Sequence, residues 1–275
     1  MNRRQSLGGG GGKQNYLLKE EKIIPLQTDQ NNVIMNNKFG EHEVNMKKGF
    51  TLAEVLITLG IIGVVAALTL PTLIQNKHNR ELETALKKNY SVIQNALQLM
   101  SYEEGQVINK DAARPVDGVH FYERFIKYFK TAKDCKAYDC VPSENIENED
   151  GSVDTYRTKR YRNWNNTTYV RGSFLDDGQF MLGDGSMIYI ENDYTRVDYI
   201  LITVDVNGLL KGPNRWGQDL FTFEIMKNGK LLPSGAEGTT YEGRLCSKTS
   251  TSEYNGIGCT YAALTDKNFW KNLPK

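Results

Sequence analysis

The pattern of hydrophobic and polar positions predicts one long helix of two different halves. No charged side chain lies between Val55 and Ile74. Twenty such residues in a helix span roughly 30 Å, the thickness of a bilayer's hydrocarbon core. After this run, apolar residues recur every three or four positions, at Leu82, Leu86, Tyr90, Ile93, Leu97 and Met100. We therefore predict a stalk helix from Phe50 to about Tyr102, membrane-spanning over residues 50–75 and amphipathic over residues 76–103. The apolar stripe is interpreted as a face packed under a globular head, with a partner coiled coil as the alternative.

Residues 1–49 precede the helix and carry no hydrophobic periodicity. They are polar, contain a run of five glycines at Gly8–Gly12, and predict a disordered leader. Met46 stands directly before Lys47-Lys48-Gly49, so translation starting at Met46, or at Met35, is one hypothesis, and a true long leader is the other.

The remaining residues, 104–275, predict a head in which strands dominate. A short helix is expected at His120–Lys133 and a long surface loop at Pro142–Asn166. Strands are expected at Thr168–Leu175, Gln179–Leu182, Ser186–Glu191, Arg196–Val206, Leu220–Met226 and Lys230–Leu232. Asn228-Gly229 between the last two strands is a strong hairpin signal. The fold class predicted is α+β, with a mainly antiparallel sheet packed on the amphipathic half of the stalk helix.

The junction between leader and helix reads Lys47-Lys48-Gly49-Phe50-Thr51-Leu52-Ala53-Glu54-Val55-Leu56-Ile57. This stretch resembles the processing and methylation motif of type IV prepilins and type II secretion pseudopilins. The resemblance implies cleavage between Gly49 and Phe50 by a prepilin peptidase, and N-methylation of the new terminus at Phe50. It also makes Glu54 the glutamate that is a hallmark of that family, and it implies a pilin-like α+β fold. An ordinary signal anchor is the alternative, but an anchor does not require this spacing of glycine, phenylalanine and glutamate.

The same resemblance implies a function, partners and a location. It implies a structural subunit of a type II secretion pseudopilus or a type IV pilus. Its partners would be the prepilin peptidase and methylase, other pilin or pseudopilin subunits, an inner-membrane assembly platform and membrane lipid. Lys47 and Lys48 favour a cytoplasmic amino terminus, with the head outside the inner membrane. The alternative is an extracytoplasmic binding or enzymatic domain that uses a pilin-like anchor without polymerising.

Glu54 is assigned an assembly role. A carboxylate among apolar residues is costly in lipid unless it is neutralised. After cleavage, Phe50 supplies a positively charged amine. In an array of staggered parallel helices, the Phe50 amine of one subunit would meet Glu54 of its neighbour and fix the axial register. Pairing within one chain is the alternative.

Two head segments, Met181–Ser186 and Val204–Phe221, resemble a pattern seen in bacterial pilin-like proteins. Within the second segment, Asp205, Asn207 and Asp219 are hard oxygen ligands beside glycine turns, so a calcium site is one interpretation. The spacing does not match an EF-hand loop, and Asp and Asn also form turns without any metal. We favour structural turns over calcium.

All four cysteines, Cys135, Cys140, Cys246 and Cys259, follow the apolar run. Disulfides persist outside the cytoplasm. Of the three possible pairings we expect the local one, which joins Cys135 to Cys140 and Cys246 to Cys259. A zinc site is the alternative, but the cysteines lack metal-ligand spacing.

Charge and motifs argue against two further classes of function. The net charge is +1, and residues 1–49 hold eight basic and five acidic side chains, about +3, so the remainder is about −2. Such a head gives no reason to expect nucleic-acid binding. Among the three histidines only His120 lies in the head, and no nucleophile elbow, Walker loop or metalloprotease motif is present. We therefore predict a protein that is not an enzyme.

Overall fold

The computed structural model describes residues 49–148, 150–193 and 199–274. The predicted leader therefore lies outside the described residues apart from Gly49. The first part of the strand expected at Arg196–Val206 lies outside them as well.

One helix, α1, runs from Leu52 to Glu104 and continues through Pro71 without a break. Its first half is exposed except at Ala66, which is half-buried, and one face of its second half is buried from Asn79 onward. The predicted apolar stripe is the buried face: Leu82, Leu86, Ile93, Leu97 and Met100 are all buried. Tyr90 is half-buried, and its ring stacks on Phe223 at 4.9 Å between centroids. The stripe therefore packs under the head, as predicted.

The head is built around an antiparallel sheet. Its strands are β1 Thr131–Asp134, β5 Gly178–Leu182, β6 Met187–Glu191, β7 Leu201–Asp205, β8 Leu220–Ile225 and β9 Leu231–Pro233. Within the described residues their order is β1-β5-β6-β7-β8-β9. Both predicted hairpins are present, with β5 paired to β6 and β8 paired to β9. The α+β fold class is confirmed.

The two faces of this sheet bury different residues. The face toward α1 carries aliphatic and aromatic side chains in one cluster with the helix stripe, among them Ile188, Ile202, Val204, Phe221 and Phe223. The opposite face belongs to a second cluster that contains Tyr189, Leu201 and Leu220. Because both faces are covered, residues along β6, β7 and β8 are buried in succession instead of alternating.

A smaller sheet helps to cover the second face. Its antiparallel strands are β2 Glu144–Glu147, β3 Val153–Arg162 and β4 Tyr169–Arg171, in the order β2-β3-β4. The prediction of a surface loop at Pro142–Asn166 is therefore wrong. Eight of the ten side chains of β3 are at least partly exposed and five are charged, and its pairing with both neighbours is irregular, so the sequence shows no clean alternation.

Two other predicted elements are shorter than expected. The helix expected at His120–Lys133 consists of α2, Phe121–Phe125, and a 3₁₀ turn, Ile126–Tyr128. Phe129 continues the helical spacing but has an extended backbone, and its ring packs on Phe125 and Phe180. The chain then enters β1. Similarly, only Tyr169–Arg171 of the strand expected at Thr168–Leu175 is extended, and a 3₁₀ turn follows at Gly172–Phe174.

The carboxy-terminal segment returns to α1 where the helix enters the head. It contains the short helix α3, Thr260–Thr265, with a 3₁₀ turn before it at Ile257–Cys259 and another after it at Phe269–Lys271. Outside this segment, a further 3₁₀ turn lies just after α1 at Lys110–Ala113. The side chain of Asn79 is buried, and its Nδ2 donates to the carbonyl oxygen of Trp270 at 2.6 Å. This bond ties the last residues of the chain to the stalk helix.

Candidate functional site

The amino-terminal half of α1 has the composition and the exposure of a membrane-spanning segment. It is long and apolar enough to cross a bilayer, and none of its most apolar window is buried against the rest of the molecule. Leu56, Ile61, Val64 and Leu68 are each more than half exposed. A soluble domain would not leave such a continuous apolar surface uncovered, so this half of the helix requires lipid or other helices around it.

The predicted cleavage and methylation residues, Gly49 and Phe50, directly precede α1 in the chain. Both are exposed. Glu54 lies in the first turn of α1, where the unpaired backbone N–H groups of a helix favour a negative charge. Cleavage, methylation and the role of Glu54 stay predictions.

In the head, the structure brings Asp205 together with two tyrosines. Asp205 is fully buried at the end of β7. Its Oδ2 accepts a hydrogen bond from the Tyr161 hydroxyl at 2.7 Å, and the Tyr161 and Tyr189 hydroxyl oxygens are also 2.7 Å apart. Its Oδ1 accepts from the backbone N–H groups of Asn207 and Gly208, at 3.2 Å and 2.8 Å. Asp205 therefore fixes the start of the β7–β8 loop.

Asp219 holds the other end of the same loop. It is fully buried just before β8, and its two carboxylate oxygens accept from the backbone N–H groups of Asn214 and Arg215 at 2.6 Å and 2.7 Å. Burial raises the pKa of the Asp205 carboxyl. Burial and then the neighbouring charge of Asp205 raise the pKa of Asp219. Both carboxyls thus hold their protons more tightly in the folded chain than in the unfolded chain.

One glycine of this loop is required by a close approach of two backbone segments. Gly208 has a φ of +85°, and a Cβ built on it would lie 2.1 Å from the carbonyl oxygen of Gly185. The β7–β8 loop therefore rests directly on the Gly183–Gly185 turn between β5 and β6. The two head segments that resemble the pilin-like pattern meet at this point.

The geometry around Asp205, Asn207 and Asp219 explains them as turn residues. Five donors already occupy the two carboxylates. The amide oxygens Oδ1 of Asn207 and Asn214 are buried and have no hydrogen-bond partner, and these are the atoms that a hard cation would use. No group of three or more His, Cys, Asp or Glu side chains among the described residues has the arrangement of a metal site. Structural turns stay the favoured interpretation of these residues, and calcium stays the alternative.

The cysteines form the two local disulfides that the sequence favoured. Cys135 is joined to Cys140 within the turn after β1, and Cys246 to Cys259 across the carboxy-terminal segment. Each bond joins one fully buried cysteine, Cys135 or Cys259, to one half-buried cysteine. These bonds account for all four cysteines of the chain.

Sequence reasoning missed several residues of the head network. Tyr161 and Tyr189 were not connected with Asp205, because they lie on strands far apart in the chain. Asn79 was not singled out within the helix. The only sequence signal was a polar residue at a position in phase with the apolar stripe, three residues before Leu82.

The comparisons with known proteins agree with the amino-terminal geometry. A family model described as a prokaryotic N-terminal methylation motif matches residues 44–70. Searches of curated proteins and of solved structures found no match. The chain carries the prepilin-type signal of type IV pilins and pseudopilins. This signal supports a prepilin-like, processed and membrane-anchored subunit in general, and a structural role rather than an enzymatic one.

Proposed function

We propose that the protein is a prepilin-like subunit that polymerises through α1 into a type II secretion pseudopilus or a type IV pilus. In this proposal the peptidase cuts between Gly49 and Phe50, Phe50 is methylated, and the helix leaves the inner membrane to pack beside other subunits. The head faces away from the cytoplasm. The mechanism is assembly, and no reaction is assigned to the chain.

One observation carries the proposal. The apolar half of α1 is uncovered, and it continues without a break into the half of the helix that packs under the head. The large apolar side chains remain exposed from Leu52 to Ile74, while one face of the same helix is buried from Asn79 onward. A continuous rigid helix lets the head move together with its anchor when the anchor leaves the lipid. Neighbouring helices would then cover the apolar surface that lipid covered before.

The first experiment is the intact mass and amino-terminal sequence of the protein from membranes of its own host. We expect a chain that begins at N-methyl-Phe50. A chain that still begins at Met1 or Met46, although the peptidase is present, would leave the apolar helix as a simple anchor. That result would favour the alternative, a membrane-anchored binding or enzymatic domain that does not polymerise.

The second experiment separates cleavage from assembly. Glu54→Ala should still be cleaved, but it should be incorporated poorly into filaments, because the charge expected to pair with the Phe50 amine of a neighbour is gone. Glu81→Ala is the matched control, since Glu81 lies on the same helix in the head-bound half and is exposed. Normal incorporation of Glu54→Ala would remove the assembly role of Glu54.

A further inference from the structure

Two arginines lie side by side on the outer face of β3. The backbone N–H of Arg162 donates to the carbonyl oxygen of Asn214 at 3.0 Å, and that of Trp216 donates to the carbonyl oxygen of Arg162 at 2.9 Å. These two bonds form a parallel bridge in which Arg162 stands directly opposite Arg215. The side chain of Tyr161 is buried against the large sheet, so Arg162, the next residue of the strand, projects to the other face. The side chain of Arg215 projects beside it, because bridge partners share a face.

No carboxylate neutralises this pair within the part of the chain that the structure describes. Neither Arg162 nor Arg215 has an ion pair there, and both side chains are half-buried. The guanidinium carbon of Arg162 lies 4.1 Å from the centre of the Tyr169 ring, a cation–π contact that brings no net negative charge. Like charges directly opposite each other on neighbouring strands are destabilising. The pair therefore favours an anion between its two side chains.

A second arginine pair in the same small sheet shows how such an anion is held. Arg157 on β3 stands opposite Arg171 on β4. The carboxylate of Glu253 pairs with both guanidinium groups, one through each of its oxygens. One singly charged group with two oxygens is therefore enough to bridge two neighbouring arginines. A phosphodiester presents the same set, two non-bridging oxygens that share one negative charge, and the fork of an arginine suits both kinds of anion.

Asp219 does not take the place of such an anion. Its carboxylate is fully buried, and its oxygens accept the backbone N–H groups of Asn214 and Arg215 instead of a guanidinium group. Burial lowers the pKa of the Arg215 guanidinium, the charge of Asp219 raises it, and the charge of Arg162 lowers it. The pKa is lowered on balance, so the surroundings of Arg215 leave its positive charge under-compensated.

The arginine pair is joined to the end of the chain. Trp164 lies two positions after Arg162. Gln218 lies three positions after Arg215. The Nε2 of Gln218 donates to the carbonyl oxygens of Trp164 and Pro274, at 3.1 Å each. Both strands of the arginine pair are therefore held close to the last residues of the protein.

The end of the chain is in turn fixed to α1 close to its apolar half. The carbonyl oxygen of Trp270 accepts the hydrogen bond of Asn79. Asn79 lies five residues after Ile74, the last residue of the apolar run, which is about 8 Å along the helix. A layer of lipid headgroups is roughly 5–8 Å thick on each side of the hydrocarbon core. The phosphates of lipids around the apolar half of α1 therefore lie near this end of the head.

We propose that Arg162 and Arg215 together bind the phosphate group of an anionic membrane lipid. The two guanidinium groups share its two non-bridging oxygens in the way that Arg157 and Arg171 share Glu253. The same chemistry accepts free inorganic phosphate, and the position beside the apolar half of α1 favours the lipid. The contact holds the head on the membrane surface. It goes beyond the proposed function and rests on that function only in requiring that α1 is anchored in lipid.

Full-length protein in bilayer discs tests the lipid site. Discs of phosphatidylcholine alone are compared with discs that also contain phosphatidylglycerol, and urea unfolding is followed by tryptophan fluorescence. The unfolding midpoint of the unchanged protein should rise with the fraction of phosphatidylglycerol, because a ligand that binds only the folded state stabilises it. Arg162→Gln and Arg215→Gln should each weaken the binding read from this titration by about tenfold or more, since charge-assisted hydrogen bonds are lost.

Arg160→Gln is the matched control. Arg160 is exposed on the same strand and lies in the irregular part of β3, between the residues that pair with β4. This variant should keep the rise, and an equal loss in all three variants would overturn the lipid site. In discs of phosphatidylcholine alone, Arg215→Gln should unfold at the same or a higher urea concentration than the unchanged protein, because a like-charge pair is removed. A lower midpoint there would contradict the repulsion on which the site rests.

Inorganic phosphate, compared with chloride at the same ionic strength in phosphatidylcholine discs, separates the two sources of the anion. A rise with phosphatidylglycerol that both glutamine variants lose supports the lipid. A rise with inorganic phosphate alone overturns the lipid as the source, and no rise with either overturns the site. Cleavage and polymerisation enter none of these measurements, so the absence of lipid binding leaves the proposed function standing. A chain that does not insert into the discs overturns both.

Discussion

The two disulfides should stabilise the head unequally, and the difference follows from the lengths of the loops they close. The bonded cysteines are 13 positions apart in the Cys246–Cys259 disulfide and 5 apart in the Cys135–Cys140 disulfide. In the chain-entropy model a disulfide restricts the unfolded chain more when its loop is longer. The stabilisation is then about 3 kcal/mol for the longer loop and about 2 kcal/mol for the shorter.

The two disulfides can be compared directly because their cysteines are buried to a similar extent. Each disulfide has one fully buried and one half-buried cysteine, so replacing each pair by alanine should leave cavities of similar cost. The difference in destabilisation should therefore be close to the entropic difference, about 0.8 kcal/mol in favour of Cys246–Cys259. The carboxy-terminal loop also has hydrogen bonds of its own, from Asn255 to the carbonyl oxygens of Ser247 and Ser250, but these bonds do not constrain the unfolded chain.

Urea unfolding of the full-length protein and of the two double alanine variants, followed by tryptophan fluorescence, measures this difference. The variant without Cys246–Cys259 should unfold at the lower urea concentration, and its m-value should rise because its unfolded chain exposes more surface. If removal of Cys135–Cys140 costs as much or more, loop length does not decide the stabilisation, and the reasoning fails.

Three further predictions concern polar residues of the head and of the helix α1 that packs under it. Asn79→Ala should destabilise the protein by about 1–3 kcal/mol in urea unfolding, because a buried carbonyl group loses its donor, whereas the exposed Asn76→Ala should change little. The pKa values of Asp205 and Asp219 are raised, so the folded state binds their protons more tightly than the unfolded state does. Protonation of these two carboxyls therefore stabilises the fold. This stabilisation is complete below the ordinary carboxyl pKa and is lost as the pH rises through the folded pKa values. The unfolding midpoint should therefore fall toward alkaline pH, and Asp219→Asn should fall less steeply; parallel curves would contradict this. A calcium chelator should leave the unfolding midpoint unchanged, because backbone and hydroxyl donors occupy both carboxylates, and a chelator effect that Asn207→Ala abolishes would establish a calcium site.

Patterns of residues close together in the chain were sufficient for much of the fold. The apolar run up to Ile74, the stripe from Leu82 to Met100 and the Asn228-Gly229 turn each depend on neighbouring residues, and each element is present. The strand β3 was missed because its buried residues, Thr158 and Tyr161, are three positions apart where the register shifts, so period-two alternation is broken. Phe129 shows the opposite error, since helical spacing continued after the helix had ended.

The sequence alone determined the prepilin-type signal, the apolar half of α1 and the α+β class, because these depend on residue identity and short-range periodicity. Tertiary structure decided the rest. It buried Asp205 and Asp219 at the two ends of one loop, joined Asp205 to Tyr161 from a distant strand, and tied Asn79 to the end of the chain. It also placed Arg162 beside Arg215. Burial and contact between residues far apart in the chain depend on how the layers pack, and no local pattern of residues encodes that packing.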